Sequence, residues 1–373
     1  MKTKICERLG CEVPIFAFTH CRDVVVEVTR AGGFGVLGAV SFSPEQLEQE
    51  LNWIDAHVDG RPYGVDVLMA MTYDKEAAQS DRPLGELLPA AQREFMNDFL
   101  ASEGVAELSP ERMQDIMAGL SAKERNHTPA GGQRLIEVAL RHPQVKLIVN
   151  ALGTPPREMI EDLHARGILV GALCGKPAHA VAHRDAGVDI VIAQGTEAGG
   201  HTGDISTLVL VPQVVDICTP EMAVLAAGGI SRGRQILAAR ALGAQGVWCG
   251  TLWLGTRESE LTPLEKQALF AARSEDAVRR KWMTGKMVRM LRSKTSEAWE
   301  RPDAPPHLMP PLQTYLYHST KARIEQAGRT DLVSIPAGQV AGLLHEEVSV
   351  RQVMQDMLTD YANALEELEQ DAS

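Results

Sequence analysis

An α/β fold, a (β/α)8 TIM barrel carrying a small helical accessory domain near the C-terminus, is what this sequence predicts, and three observations predict it. Eight apolar runs of strand length recur along the chain, the runs are continuous rather than alternating, and the segments between them read as helices. Continuous runs are what a strand needs when both of its faces are covered, as in a parallel sheet wrapped by helices. A doubly wound open sheet would supply the same alternation, and the count of eight favours the barrel.

In chain order the runs are PIFAF at 14–18, GFGVLGA at 33–39, YGVDVLM at 63–69, VKLIVNA at 145–151, ILVGALC at 168–174, VDIVIA at 188–193, MAVLAA at 222–227 and GVWCG at 246–250. Between them SPEQLEQELNWIDAH places Ser43 as N-cap and Pro44 at the first helical position. TPPREMIEDLHARG reads as a helix capped by Thr154 and closed by Gly167. Residues about 72–130 are polar and partly helical, too long for a βα loop, and form an excursion on the face where such loops emerge. Residues 262–335 carry charged helices and the proline-rich RPDAPPHLMPPLQ, read as the accessory domain. The barrel therefore comprises 1–261 and 336–373, the latter an amphipathic helix with an acidic tail.

Acidic residues outnumber basic ones 49 to 37, giving a formal charge of −12, and no basic cluster offsets this. Such a surface disfavours nucleic acid and anionic membranes and suits a small-molecule substrate, with the chain a monomer or homodimer. The six cysteines never form C-x-x-C, which fits reduced thiols rather than a disulfide framework or a structural zinc. The first residues, MKTKICERLGCEVPIF, contain no continuous apolar h-region and nowhere do eighteen apolar residues run together, so a cytoplasmic location is expected.

In such a barrel the site lies at the C-terminal ends of the strands, and the loops after strands seven and eight hold phosphate. There the sequence has AAGGISRGRQ, with Gly228 and Gly229 for close approach and Ser231 to cap the next helix, and CGTLW, with Gly250 and Thr251 offering an N–H and a hydroxyl. After strand six, AQGTEAGGHTGD sets His201 among glycines that leave little for it to pack against, which suits a general acid/base. Glu197 either orients His201 or caps the turn; Asp204 is a cap or a catalytic group. His20, after strand one, is a ligand contact or an exposed loop residue. Cys174 and Cys249 lack an adjacent histidine and read as small core residues. His179 and His183 share one helix face without a third ligand, so a solvated face is expected and no metal site. GFGVLG matches G-x-G-x-x-G but lies inside a strand and opens no helix, so it is not a dinucleotide fingerprint.

Taken together, PIFAF…AGGFGVLGA, QGTEAGGHTG, AAGGISRGRQILAARALGAQGVWCGTLWLGTRES and SIPAGQVAGLL resemble the nitronate monooxygenase family, once called 2-nitropropane dioxygenases, which are FMN-dependent TIM-barrel flavoproteins. The resemblance covers most of 1–260 and resumes near 334–360. It implies oxidation of an alkyl nitronate with O2 to a carbonyl compound and nitrite, FMN as cofactor, and His201 as the active-site histidine. It implies FMN phosphate contacts from Gly228, Gly229, Gly250 and Thr251. Contacts to the ring and ribityl chain would come from Gln194, Gly200, Phe18 and Thr19, with Gly338 and Gln339 returning near the ring and His20 toward the substrate. Two departures concern the substrate side: FAFTHC stands where members often have a glycine, proline or methionine loop, and Leu173 and Cys174 stand where related quinone reductases carry a lysine, Lys176 being only nearby. The rival readings are an NAD(P)H-dependent FMN reductase of quinones or enoyl thioesters, and a flavin-free sugar-phosphate isomerase or aldolase barrel.

Overall fold

The computed structural model describes residues 1–69, 74–80, 82–124, 126 and 128–371, so residues 72, 73, 81, 125 and 127 of the expected excursion lie outside the described residues. Eight parallel strands close a barrel: β1 (Ile15–Thr19), β2 (Phe34–Gly38), β3 (Tyr63–Val67), β4 (Val145–Asn150), β5 (Leu169–Cys174), β6 (Ile190–Gln194), β8 (Ala223–Ala227) and β9 (Gly246–Cys249). Each coincides with one of the eight apolar runs. Closure is made where Ile15, Phe16 and Ala17 pair with Val247, Trp248 and Cys249, which excludes the open sheet. A second sheet of three short strands, in the order β10 (Ala277–Arg280), β11 (Val288–Leu291), β7 (Gly200–His201), lies outside the barrel.

Strand side chains alternate between the lumen and the helices. Phe16, Phe34, Val36, Leu147, Val149, Ile190, Ile192, Leu225 and Trp248 fill the lumen, and the helix Lys4–Leu9 adds Ile5, Cys6 and Leu9 to the same cluster. The opposite set, including Val65, Val67, Ile148, Val191 and Val224, meets the surrounding helices. Ser43 caps Pro44–His57 as the sequence implies, in a full capping box with Gln46.

After β9 the chain leaves the barrel with only a four-residue helix, Thr251–Leu254. It returns with Val350–Asp371, which packs against both Gly233–Ala241 and Arg22–Arg30 and so takes the eighth position in the helical ring. Contact there is close: a Cβ on Gly233 would lie 2.0 Å from the Met357 carbonyl oxygen and 2.2 Å from the Tyr361 nitrogen. Between departure and return, Leu269, Trp282, Val288, Met290, Trp299, Tyr315 and Leu332 form a second buried cluster, which Leu84, Met96, Phe99 and Leu100 of the excursion join. Its helices are Pro263–Ala271, Lys294–Ala298 and Leu312–Ala327, and the β10–β11 hairpin between them is an element the sequence reading did not contain.

Two local expectations are corrected. The helix after β4 is Arg157–Ala165 with Pro156 at its N-cap; the Thr154 hydroxyl instead sits 2.9 Å from Nδ1 of His183. His183 is therefore no part of a solvated face: it is 1% exposed, its Nε2 lies 3.1 Å from the Leu173 carbonyl oxygen, and burial holds its imidazole below the ordinary pKa.

Candidate active site

Strand alternation fixes which side chains crown the barrel. Inward positions at the C-terminal ends are Phe18, Gly38, Asp66, Leu173, Gln194, Ala227 and, one step past Trp248, Gly250; each continues the parity of the lumen residues below it. Where the lower layers carry Phe, Val, Leu and Trp, this top layer carries two glycines and an alanine. Gly38 gives its room to His20, whose ring a Cβ there would meet at 2.5 Å. Gly250 gives its room to the mouth: a Cβ would meet only Phe18, at 3.7 Å. Phe18 stacks on Trp248 with ring centroids 6.1 Å apart.

The loop after β6 runs over this layer. Gly200 has φ +77° and open space where a Cβ would stand, so glycine is required by the backbone and leaves a gap beside His201. His201 is half-buried and sits in β7, opposite Val288 of β11, with Nε2 3.0 Å from Thr284 Oγ1. Glu197 caps rather than orients: its carboxylate accepts from the Thr207 N–H at 3.0 and 3.2 Å and from the Thr207 hydroxyl at 2.9 Å, at the start of helix Thr207–Ile217. Asp204 pairs with Arg279 on β10. Arg289, on β11, donates to Thr196 O at 2.7 Å and to the Ala277 carbonyl; burial holds its guanidinium below the usual range. The histidine loop is thus held by the hairpin.

The predicted phosphate residues follow the neighbouring strands β8 and β9, and Gly228 and Gly229 lie against the loop after β6. Gly228 has φ +100° and a Cβ there would meet the Thr207 hydroxyl at 2.9 Å and the Gly195 carbonyl at 3.0 Å, so close chain approach requires this glycine. Gly229, at φ +72°, accepts from Gln235 Nε2. Ser231 does not cap the following helix, Gly233–Ala241: Gln235 Oε1 accepts the Ser231 and Arg232 N–H groups at 2.8 and 3.0 Å instead. Ser231 Oγ is left buried without a hydrogen-bond partner. Thr251 Oγ1 accepts from the Gly338 N–H at 2.8 Å, and the Gln339 N–H donates to the Glu197 carbonyl at 2.9 Å, which brings the C-terminal turn against both loops. An orphaned hydroxyl, a hydroxyl with its hydrogen to spare and the space beside Gly250 fit the phosphate end of a flavin nucleotide.

Of the remaining candidates, Thr19 is buried and its hydroxyl accepts from the Cys21 N–H at 3.0 Å. His20 Nδ1 lies 2.9 Å from the Gly38 carbonyl oxygen and its ring meets Phe18 edge-on. Burial pushes the Cys174 thiol up to about 11 and Cys249 up to about 12, which removes both as nucleophiles. All six cysteines are free thiols, and among the described residues no group of three metal-ligating side chains gathers. The sequence reading missed Asp66. Its side chain points into the lumen beside Gly38, Oδ2 is buried without a hydrogen-bond partner, and burial raises its pKa well above the ordinary carboxylate range. The signal was present: one acid inside the apolar run YGVDVLM.

A family model for nitronate monooxygenase matches residues 18–360. The Mycobacterium tuberculosis protein named "Putative monooxygenase Rv1533" is 45% identical over 377 residues, covering 99% of each chain. A Staphylococcus haemolyticus protein named "Probable nitronate monooxygenase" is 29% identical and 97% of each is covered. Among solved structures, nitroalkane oxidase from Streptomyces ansochromogenes superposes with a TM-score of 0.78 at 27% identity, covering 98% of this chain and 99% of that one. FabK from Thermotoga maritima superposes at 0.71 with 23% identity, covering 99% of both, and that likeness bears on the fold alone.

Proposed function

The chain belongs to the nitronate monooxygenase family, and from that premise we propose that it oxidises alkyl nitronates with O2 to a carbonyl compound and nitrite, using FMN. It is a flavin-dependent oxidoreductase acting on a small molecule. The observation that carries the finer reading is His201, held on a glycine-opened loop beside a barrel mouth whose top layer is thinned to glycine and alanine. Gly228, Gly229, Gly250 and Thr251, joined by Ser231, would hold the FMN phosphate. Gln194, Gly200, Phe18 and the Thr19 backbone would bound the space for the ring and ribityl chain, and Gln339 would close it from the C-terminal turn; the Thr19 side chain faces away from the lumen and is held on the Cys21 N–H.

FMN, when bound, would supply the electron acceptor of the reaction. The protein's own work is at the anion. His201, when protonated, pairs with a nitronate; when neutral, it removes the α-proton of the parent nitroalkane. His20, anchored on the Gly38 carbonyl, bounds the substrate side. Glu197 is spent on a helix N-terminus, and burial favours the protonated forms of the Cys174 and Cys249 thiols and of the Asp66 carboxyl.

In flavin-loaded protein, His201→Asn is expected to lower turnover of a neutral nitroalkane by about 100-fold or more while retaining bound flavin. Steady-state kinetics with absorbance of the bound flavin make the check, and unchanged turnover would sink the assignment. Anaerobic mixing with NADH or NADPH is expected to leave the flavin absorbance unbleached; rapid bleaching would point to a reductase instead.

A further inference from the structure

Thr284 stands in the turn between β10 and β11, 83 residues from His201 in sequence. Its Oγ1 lies 3.0 Å from His201 Nε2, 3.3 Å from the Lys286 backbone nitrogen and 3.4 Å from the Lys286 carbonyl oxygen. A backbone N–H only donates, so Lys286 takes one lone pair of the hydroxyl. The hydroxyl hydrogen then has two acceptors. When Nε2 carries a lone pair, the O–H points at the ring. When Nε2 carries a hydrogen, the ring donates to Oγ1 and the hydroxyl hydrogen turns to the Lys286 carbonyl.

We propose that Thr284 is the positioning residue of His201, a hydroxyl rotor that keeps the imidazole hydrogen-bonded in both of its protonation states. This rests on the reading of His201 as acid/base given above. A carboxylate in the same place would hold the ring charged, and a carbonyl would hold a hydrogen on Nε2. A group that must take up a proton and return it is better served by a partner that both donates and accepts. The rotor also stands on a fixed support. β11 pairs with β7 at Val288–His201 and Arg289–Gly200, Arg289 grips Thr196, and Arg279 donates to the Thr202 carbonyl and pairs with Asp204. The hairpin therefore sets both the backbone and the ring of His201.

The charged groups of the loop and hairpin are Glu197 and Asp204 on the loop, and Arg279, Arg280, Lys281, Lys286 and Arg289 on the hairpin, Arg280 pairing with Glu300; replacing Thr284 leaves them all in place. Thr284→Val and Thr284→Ser are compared with the parent in two ways. The first is an NMR titration of the His201 ring protons in the full chain, assigned by their loss in His201→Asn. Valine is expected to lower the pKa of His201 by about 1 pH unit, because the bond the charged ring gives Thr284 is charge-assisted and stronger than the one the neutral ring receives, and serine to leave it where the parent has it. The second is turnover of a nitroalkane by flavin-loaded protein, where valine is expected to lower kcat about tenfold with a smaller change in KM, moving the acidic limb of the pH profile the same way, and serine to restore both. Should valine disrupt the hairpin, Thr284→Ala replaces it. A His201 titration unmoved in the valine or alanine variant overturns the proposal, whatever turnover does. A parent that turns over neither nitroalkane nor nitronate, with the titration shifted, overturns the functional reading and leaves the role of Thr284 standing.

Discussion

Asp66 carries a carboxyl that the lumen does not satisfy, and the sign of its effect on stability follows from its raised pKa. The folded chain holds the Asp66 proton to higher pH than the unfolded chain does. Stability from this group is therefore greatest below the unfolded pKa of about 4 and declines as pH rises toward the folded value. Asp66→Asn removes the charge while keeping the shape. It is expected to raise the melting temperature near pH 7, at roughly 1–2 °C per kcal/mol gained for a chain of this size, with the gain vanishing below about pH 4. Thermal scans of parent and variant across that range make the check; a gain independent of pH would show that ionisation is not its source. At this scale the sequence draws the eye where one residue breaks its own context: His201 among glycines, or Gly228–Gly229 and Gly250 after the seventh and eighth barrel strands. Asp66 broke its context equally, and was passed over because a strand reading rewards the apolar majority. Thr284 broke nothing. An ordinary threonine in a turn becomes informative only once folding brings it to His201.

All eight barrel strands were legible because each is a local apolar run whose burial on both faces leaves a compositional trace. The hairpin left none: β10 reads AVRR and β11 VRML, four residues each with charge inside, and they hold as strands through the partners they find. Thr154 was misread for the related reason that proline at 155 and 156 defers the helix start, freeing its hydroxyl for His183. Where helices meet, tolerance is narrow. Gly233→Ala drives a methyl group into the backbone of Val350–Asp371 and is expected to cost about 1–3 kcal/mol in chemical denaturation, as overpacked contacts do. Gly60→Ala has nothing within 4 Å and loses only its left-handed backbone, φ +70°, so a smaller cost there separates steric from conformational effects.

For the molecule as a whole, the barrel and the second buried cluster are threaded by one path. The chain leaves after Cys249, builds the second cluster, sends Ala337–Gln339 across the mouth, and only then supplies the eighth helix. Removing residues 350–371 is expected to abolish cooperative unfolding, because the faces of Arg22–Arg30 and Gly233–Ala241 lose their shared partner. Near-UV circular dichroism of the shortened chain would report this as lost tertiary signal, and a native-like spectrum would count against it. This long-range order was half-visible in sequence, since the amphipathic tail announced a partner without saying which.

The late return of the eighth helix also sets a timetable. At roughly 5–20 residues per second of synthesis, the strand wall is finished about 5–20 s before the helix that completes its outer layer begins to be made. During that interval the newborn chain presents an apolar seam on a sheet already capable of closing. Chaperone demand in the cell, rather than the stability of the finished protein, is where this route through the fold is felt.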